Sequence, residues 1–229
     1  MRVLRGRAGS IEDDRATTDA MVERALDADE PALRAWSPHP QVAFGRRDAN
    51  AAGYERAREI ARLRGYLPIE REVGGRAVAY TGSTVAFAYV DPISDRTAIE
   101  SRYDDATDRL QDALAGVGVD ARAGEPDRSF CPGTHSLQSA GKIAGLAQRV
   151  QRRVARVGGI VVVRDHDEIG AVLAPIYDAL DVAFDPATVG SVAAAGGESD
   201  PAAVARAVED AFAQNNAVTV DHVGGDVDT

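Results

Sequence analysis

The strongest constraint on this chain is the way its apolar runs are grouped. Between Leu67 and Val90 the sequence holds LPIEREV, then GGR, then AVAY and TVAFAYV. The first alternates with the period of a half-buried strand, the paired glycines turn, and the last two are apolar enough for buried strands. An amphipathic helix follows, with Ile99, Tyr103, Ala106, Leu110 and Leu114 along one face. After Gly116 strands return in VDARA, in HSLQSA and KIAGLAQRV around an Ala140-Gly141 turn, and in GGIVVV. Strands gathered in runs, with helices between the runs, argue for an α+β fold and against a doubly wound parallel sheet.

The rest of the chain is read the same way. The first 30 residues have helical spacing through Val22, Ala25 and Leu26, and Leu33 to Phe44 reads as two short strands broken at Ser37-Pro38-His39-Pro40. Helical spacing runs from Asn50 to Arg64 with Gly65 as C-cap, and again over about 166–181, 186–195 and 201–214. The expectation is one catalytic-size domain over 1–220 with a small helical C-terminal end, and a flexible tail over 221–229. A paired Gly74-Gly75 between strand-like runs is either a bulge or turn, or a place where backbone approaches another group closely.

Composition narrows function by exclusion. At 229 residues with net charge −10, the chain can bury a core but is a poor general binder of nucleic acid. No run of 18 uncharged apolar residues exists and the N-terminus lacks a signal-peptide core, so a cytoplasmic location is expected. Acidic surplus in an arginine-rich chain points to a high-salt cytoplasm. Neither HExxH nor CxxC occurs, and no metal site is indicated.

The stretch FCPGTHSLQSAGKIAGLAQR holds the only cysteine, Cys131, and the only lysine, Lys142, among 26 Lys+Arg. A lone cysteine cannot close an internal disulfide; it is either an inert core residue or chemically used. A thiol is nucleophilic as its thiolate, and a nearby ammonium favours that form and can also hydrogen-bond the oxyanion formed when sulfur attacks a carbonyl. A turn at Ala140-Gly141 would bring the two together. His135, four residues beyond the thiol, is a candidate base or hydrogen-bond donor, the alternative being an ordinary loop histidine. GK at 141–142 is not a phosphate-binding loop, because Ser136 stands where that motif needs glycine and Ile143 where it needs Ser or Thr. Arg149, Arg152, Arg153 and Arg156 form one basic cluster, either surface ion-pairing residues or a grip for an acidic protein.

These stretches together resemble the lipoate-protein ligase and octanoyltransferase superfamily, which includes the biotin ligase catalytic domain. PQVAFGRRD, REVGGRAV, GKIAGLAQR and FDPATVGSV are similar to four of its motifs, over roughly residues 15–215. SFCPGTHSLQSAGKIAG looks closest to the octanoyl-[GcvH]:protein N-octanoyltransferase branch. The resemblance implies a biotin/lipoate ligase-like domain, a mixed, largely antiparallel sheet flanked by helices. It implies that Cys131 takes an octanoyl or lipoyl group as a thioester and passes it to a lysine of a lipoyl domain. Lys142 would stabilise the thiolate and then the oxyanion. Arg71, Gly74, Gly75, Arg76, His135, Gly141, Ala144 and Gly145 would line the substrate site, with TVAFAYV as acyl-tunnel wall. The implied partners are lipoyl carriers, namely the glycine-cleavage H protein and the E2 lipoyl domains of 2-oxoacid dehydrogenases, with the basic cluster receiving them. No bound cofactor is expected.

The chain departs from the superfamily pattern at Glu72 for arginine, Arg76 for glycine, Tyr80 for histidine, Ser136 for an acid and Ile143 for a second lysine. Two further readings therefore stand: an ATP-dependent lipoate-protein ligase working with a separate accessory protein, and a silent carrier-binding protein.

Overall fold

The computed structural model describes residues 1–71, 74–151, 153–214 and 216–224. The chain opens with β1 (Arg2–Arg5), α1 (Ile11–Ala28), β2 (Ala32–Trp36), β3 (Gln41–Phe44), α2 (Arg46–Ala49), α3 (Tyr54–Leu63) and β4 (Leu67–Glu70). It continues through β5 (Val78–Tyr80), β6 (Thr84–Pro92), α4 (Ile99–Gly116), β7 (Arg122–Ala123), β8 (Ser136–Ser139), β9 (Gly141–Gln151) and β10 (Val154–Val162). Helices α5 (His166–Ala179) and α6 (Pro201–Ala213) and strand β11 (Thr219–His222) complete it. The large sheet has eight strands in the order β11-β1-β2-β6-β10-β9-β8-β7, and a second sheet has the order β4-β3-β5. Pairing is parallel for β11-β1, β1-β2 and β3-β4 and antiparallel elsewhere. The α+β expectation holds.

The period-2 alternation of β6 and β10 divides the molecule. Val85, Phe87, Val157 and Val161 enter a core with Leu110 and Leu114 of α4 and Val204, Val208 and Phe212 of α6. The alternate positions face the other way. Ile160 and Val162 meet Phe44, Ala57, Leu173 and Tyr177, so the small sheet with α3 and α5 covers that half. Ala88, Val90 and Val154 meet Met21 and Ala25 of α1. Helix α1 is pinned by a buried pair: the Arg34 guanidinium donates to the Asp14 carboxylate and, at 2.9 Å, to the Asp14 carbonyl, while lying 4.2 Å over the Trp36 ring.

Three expectations are corrected. Residues 2–5 are strand, because Val3 and its neighbours find ladder partners in β2 and β11, and helix starts only where Ser10 caps the Asp13 N–H. Residues 186–195 make one 3₁₀ turn, Pro186–Thr188, and no helix. The backbone N–H groups of Gly190, Val192 and Ala193 instead bond the carbonyls of Lys142, Val162 and Val163, each at 2.9 Å, and these tertiary partners outweigh the helix propensity of the alanines. The expected tail begins too early, since Thr219–His222 pair with β1; residues 225–229 lie outside the described ones. The Gly65 C-cap is present, with Tyr66 N–H bonding the Ala61 carbonyl and Gly65 N–H that of Arg62, both at 2.9 Å. Among the described residues no helix is long and apolar enough to cross a membrane.

Gly45 joins the end of β3 to the segment that carries the site. A Cβ there would stand 2.2 Å from the Gly75 carbonyl oxygen, so only glycine allows this approach. Gly45→Ala is expected to destabilise the fold by about 1–3 kcal/mol through overpacking, measured by urea unfolding. A variant as stable as the parent would mean the Gly75 turn yields without cost.

Candidate active site

A cleft of about 580 Å³ opens on the face of the large sheet turned away from α4 and α6, between α1 and the small sheet. That size suits a small-molecule ligand. Sequence explains why space is left there. On β6 the core face carries Val85 and Phe87, whereas the cleft face carries Ala86 and Ala88. Gly158 of β10, opposite Ala88, and Gly145 and Ala147 of β9 continue this floor of small residues. Tyr80, Gly74, Gly75, Arg71 and Cys131 stand at its rim.

Cys131 is partly exposed and sits in the left-handed region at φ 42°. That conformation is unfavourable for a residue with a Cβ, by about 1–3 kcal/mol, and persists only where surroundings determine it. Here three anchors do so. Its N–H donates to the Tyr177 hydroxyl at 2.6 Å, and that hydroxyl donates to the Ala77 carbonyl at 2.9 Å. Its carbonyl accepts from the Lys142 ammonium at 2.9 Å. Its sulfur accepts from Arg71 Nη2 at 3.2 Å and from the Arg76 N–H at 3.4 Å. Gly75 makes this possible, since a Cβ there would stand 2.7 Å from the sulfur.

The lysine does something other than expected. Its ammonium is buried and gives hydrogen bonds to Glu125 Oε2 at 2.6 Å and to the carbonyls of Phe130 and Cys131 at 2.9 Å each. Cys131 and Lys142 do meet across the turn, but at the cysteine's carbonyl. The cation on the sulfur is Arg71. Burial works against the charge on Arg71, yet its neighbours, the sulfur of Cys131 foremost, more than offset it and hold the guanidinium above its usual range. Burial likewise pushes the hydroxyls of Tyr80 and Tyr177 up, so both phenols stay neutral beside the sulfur.

Other expected residues divide into two groups. Gly74, Gly75, Arg71, His135 and Gly145 line the cleft with the sulfur. His135 lies flat on the Tyr103 ring, 3.6 Å between centroids, a stacking role and not that of a base held on the thiol. Arg76 gives its backbone N–H to the sulfur and its side chain to buried Asp48 at 3.2 Å. Gly141 and Ala144 serve the fold. A Cβ on Gly141 would collide with Gly190, and Ala144 is buried between Leu137 and Val161 in the sheet, so its backbone is not an oxyanion site. Glu72 and Arg152 lie outside the described residues; Arg149 and Arg156 are cross-strand neighbours at the cleft, with Asp19 at 3.6 Å from Arg156.

Glu125 is the residue that sequence reasoning missed. Its carboxylate accepts from Lys142, from the Ser136 hydroxyl at 2.9 Å and from the Gly133 N–H at 2.9 Å. Ser136 stands where the resemblance expects an acid, and Glu125 supplies that acid from the preceding loop. Burial opposes its charge, but Lys142 and the other donors win and hold its carboxyl below the usual range. The missing acid at position 136, beside a buried lysine needing a counterion, was the available signal. Tyr177 and Asp48 carried none, because each reaches the site from a distant helix.

The model of the lipoyl protein ligase A/B catalytic domain matches residues 11–213. The chain belongs to this family. Within it, the octanoyl-[GcvH]:protein N-octanoyltransferase of Kyrpidia tusciae is 33% identical over 148 residues, 64% of this chain and 51% of that protein. The lipoyl-[GcvH]:protein N-lipoyltransferase of Listeria monocytogenes is 28% identical over 119 residues, 51% of this chain and 43% of that protein. The chain thus spans about half the length of the curated relatives it matches. The fold is that of a lipoate-protein ligase A solved with ATP, at TM-score 0.77 and 21% identity over 97% of this chain and 88% of that one. A lipoate protein ligase from T. acidophilum with bound lipoic acid gives TM-score 0.73 at 19% identity, over 97% and 88%.

Glu125 also yields a stability prediction. A carboxyl held low in the folded state contributes stability above its ordinary titration range, and that contribution is lost as pH falls through the lowered value. Glu125→Gln, which strands a buried ammonium, is expected to cost on the order of 3 kcal/mol at pH 7. The deficit should shrink on acidification below about pH 4. Urea unfolding of both proteins at several pH values checks this; a pH-independent deficit contradicts the charge assignment.

Proposed function

We propose that this protein is an acyltransferase that moves an octanoyl or lipoyl group, through a thioester on Cys131, onto a lysine of a lipoyl carrier protein. The observation that carries this reading is the sulfur itself. It is partly exposed, borne on a rigid loop, paired with a buried guanidinium at 3.2 Å, and set at the rim of a cleft floored by alanine and glycine. An inert core cysteine has none of these properties. The names of the related transferases agree with it.

The chemistry follows from the geometry. The thiolate attacks the carbonyl carbon of an acyl-lysine amide, a C–S bond forms, and collapse of the tetrahedral adduct breaks the C–N bond. The departing amine takes up the proton that the thiol had released. An acceptor lysine, as the neutral amine, then attacks the thioester; the C–S bond breaks, the new amide nitrogen gives a proton to solvent and the thiolate is returned. The thioester keeps the acyl group reactive, so no nucleotide is consumed. The alkyl chain lies along Ala86, Ala88 and Gly158, where larger side chains would fill the cleft. Arg149 and Arg156 at the cleft, with exposed Arg153, would receive an acidic carrier such as the glycine-cleavage H protein or an E2 lipoyl domain.

Mixing the protein with an octanoylated carrier should give an octanoyl adduct by intact-mass analysis, without ATP. Hydroxylamine should remove it, and Cys131→Ala should never form it. Acylation of the carrier that needs ATP and free acid, releases AMP and survives in Cys131→Ala would support the ligase reading instead.

A further inference from the structure

Two cations converge on Cys131, and their hydrogen bonds separate their duties. An ammonium has three protons to donate. Lys142 places all three, on Glu125 Oε2 at 2.6 Å and on the Phe130 and Cys131 carbonyls at 2.9 Å. None remains for the sulfur. The guanidinium of Arg76 is committed to buried Asp48. Arg71 differs: its Nη2 serves the Arg76 carbonyl at 2.6 Å and the sulfur at 3.2 Å, and its Nε is buried with no partner among the described residues. A buried donor left unsatisfied beside a nucleophile costs stability and calls for an acceptor that arrives with substrate.

We propose that Arg71 is the catalytic cation of the Cys131 sulfur, balancing its negative charge before acyl transfer and after it, while Lys142 and Glu125 only set the loop. The proposal rests on the thioester reading above. When the thiol gives up its proton to solvent, the charge left on sulfur faces the Arg71 guanidinium, whose Nη2 lies 3.2 Å away. Forming the C–S bond uses that charge, the departing amine regains a proton from solvent, and Arg71 is released to the acyl oxygen through its free Nε–H. Attack by the acceptor lysine expels the thiolate and restores the pair. Among the described residues, the other charged or titratable groups around the Cys131 loop have partners or duties of their own. Tyr80 and Tyr177 are kept neutral by burial, Arg76 and Asp48 neutralise each other, Lys142 is matched by Glu125, and His135 is stacked on Tyr103.

Because Cys131 is the only thiol, iodoacetamide alkylation followed by intact mass reads it directly in the full chain, whether or not transfer occurs. Arg71→Gln keeps hydrogen-bond donors and drops the charge. Losing an opposite charge beside a sulfur disfavours the thiolate, and the gain in intrinsic nucleophilicity returns part of the rate. The expected result is alkylation about three- to tenfold slower at neutral pH, with the pH midpoint of reactivity moved upward. Arg71→Lys, the safer variant for folding, keeps the charge and should react within about threefold of the parent. A folded Arg71→Gln with an unshifted profile, or a folded Arg71→Lys slowed as far as Gln is expected to be, overturns the proposal. A failure of octanoyl transfer with these profiles intact would sink the transferase reading and leave standing only the pairing of Arg71 with the Cys131 sulfur.

Discussion

The ammonium of Lys142 is buried between one carboxylate and two main-chain carbonyls, and the position of Cys131 depends on that arrangement. A cationic group taken out of water loses several kcal/mol of hydration, which only close pairing with full hydrogen bonding returns. The return is available at one loop geometry, the one that turns the carbonyls of Phe130 and Cys131 inward. Turning the Cys131 carbonyl inward leaves its side chain on the cleft side, at the positive φ that a free loop would avoid. The strained cysteine is therefore a consequence of satisfying the lysine, and Tyr177 and Arg71 complete what the lysine begins.

The cleft has an equally simple origin. A sheet covered on both faces usually fills both with large residues, and this one does so toward α4 and α6. Toward α1 the same strands carry Ala86, Ala88 and Gly158 in adjacent register, and these small residues leave space above the sheet. Two elements instead stand off to either side: α1, held by the Arg34–Asp14 pair, and the small sheet, held by the packing of Phe44 and Tyr177. The loop bearing Cys131 crosses the opening between them. Floor and thiol come from separate parts of the sequence.

What was legible in the sequence follows the range of the interaction responsible. The buried strands β6 and β10, the α4 stripe from Ala106 to Leu114 and the Gly65 cap are written in neighbouring residues and agree with the structure, whereas Ile99 at the start of the stripe is exposed. The sequence also marked Cys131 and Lys142 as partners, by rarity and by resemblance. It did not reveal which atoms meet, because that depends on Glu125, Arg71 and Tyr177 arriving from three other segments. The same limit produced the fold errors. Ala193, Ala194 and Ala195 are locally helix-formers, but the N–H groups of Gly190, Val192 and Ala193 are claimed by carbonyls of residues far away in sequence. Strand β1 looked like helix because its only strand signal, a buried Val3, lies between partners from β2 and β11.

Arginine serves everywhere else in this chain, so the retention of one lysine needs a physical reason. The cavity under the Cys131 loop offers three acceptors around a point, with Gly145 and the Phe130 ring as walls. An ammonium fits such a site, since its three donors radiate from one compact atom. A guanidinium is planar and directs its donors sideways, so it could satisfy a carboxylate but not two further carbonyls above the plane. At the sulfur the demand is reversed. There a broad, weakly hydrated cation reaches a backbone carbonyl and a polarisable sulfur with one nitrogen, while another has no partner among the described residues. Shape thus assigns the lysine to structure and Arg71 to chemistry. It also explains why a composition that favours arginine throughout leaves position 142 unchanged.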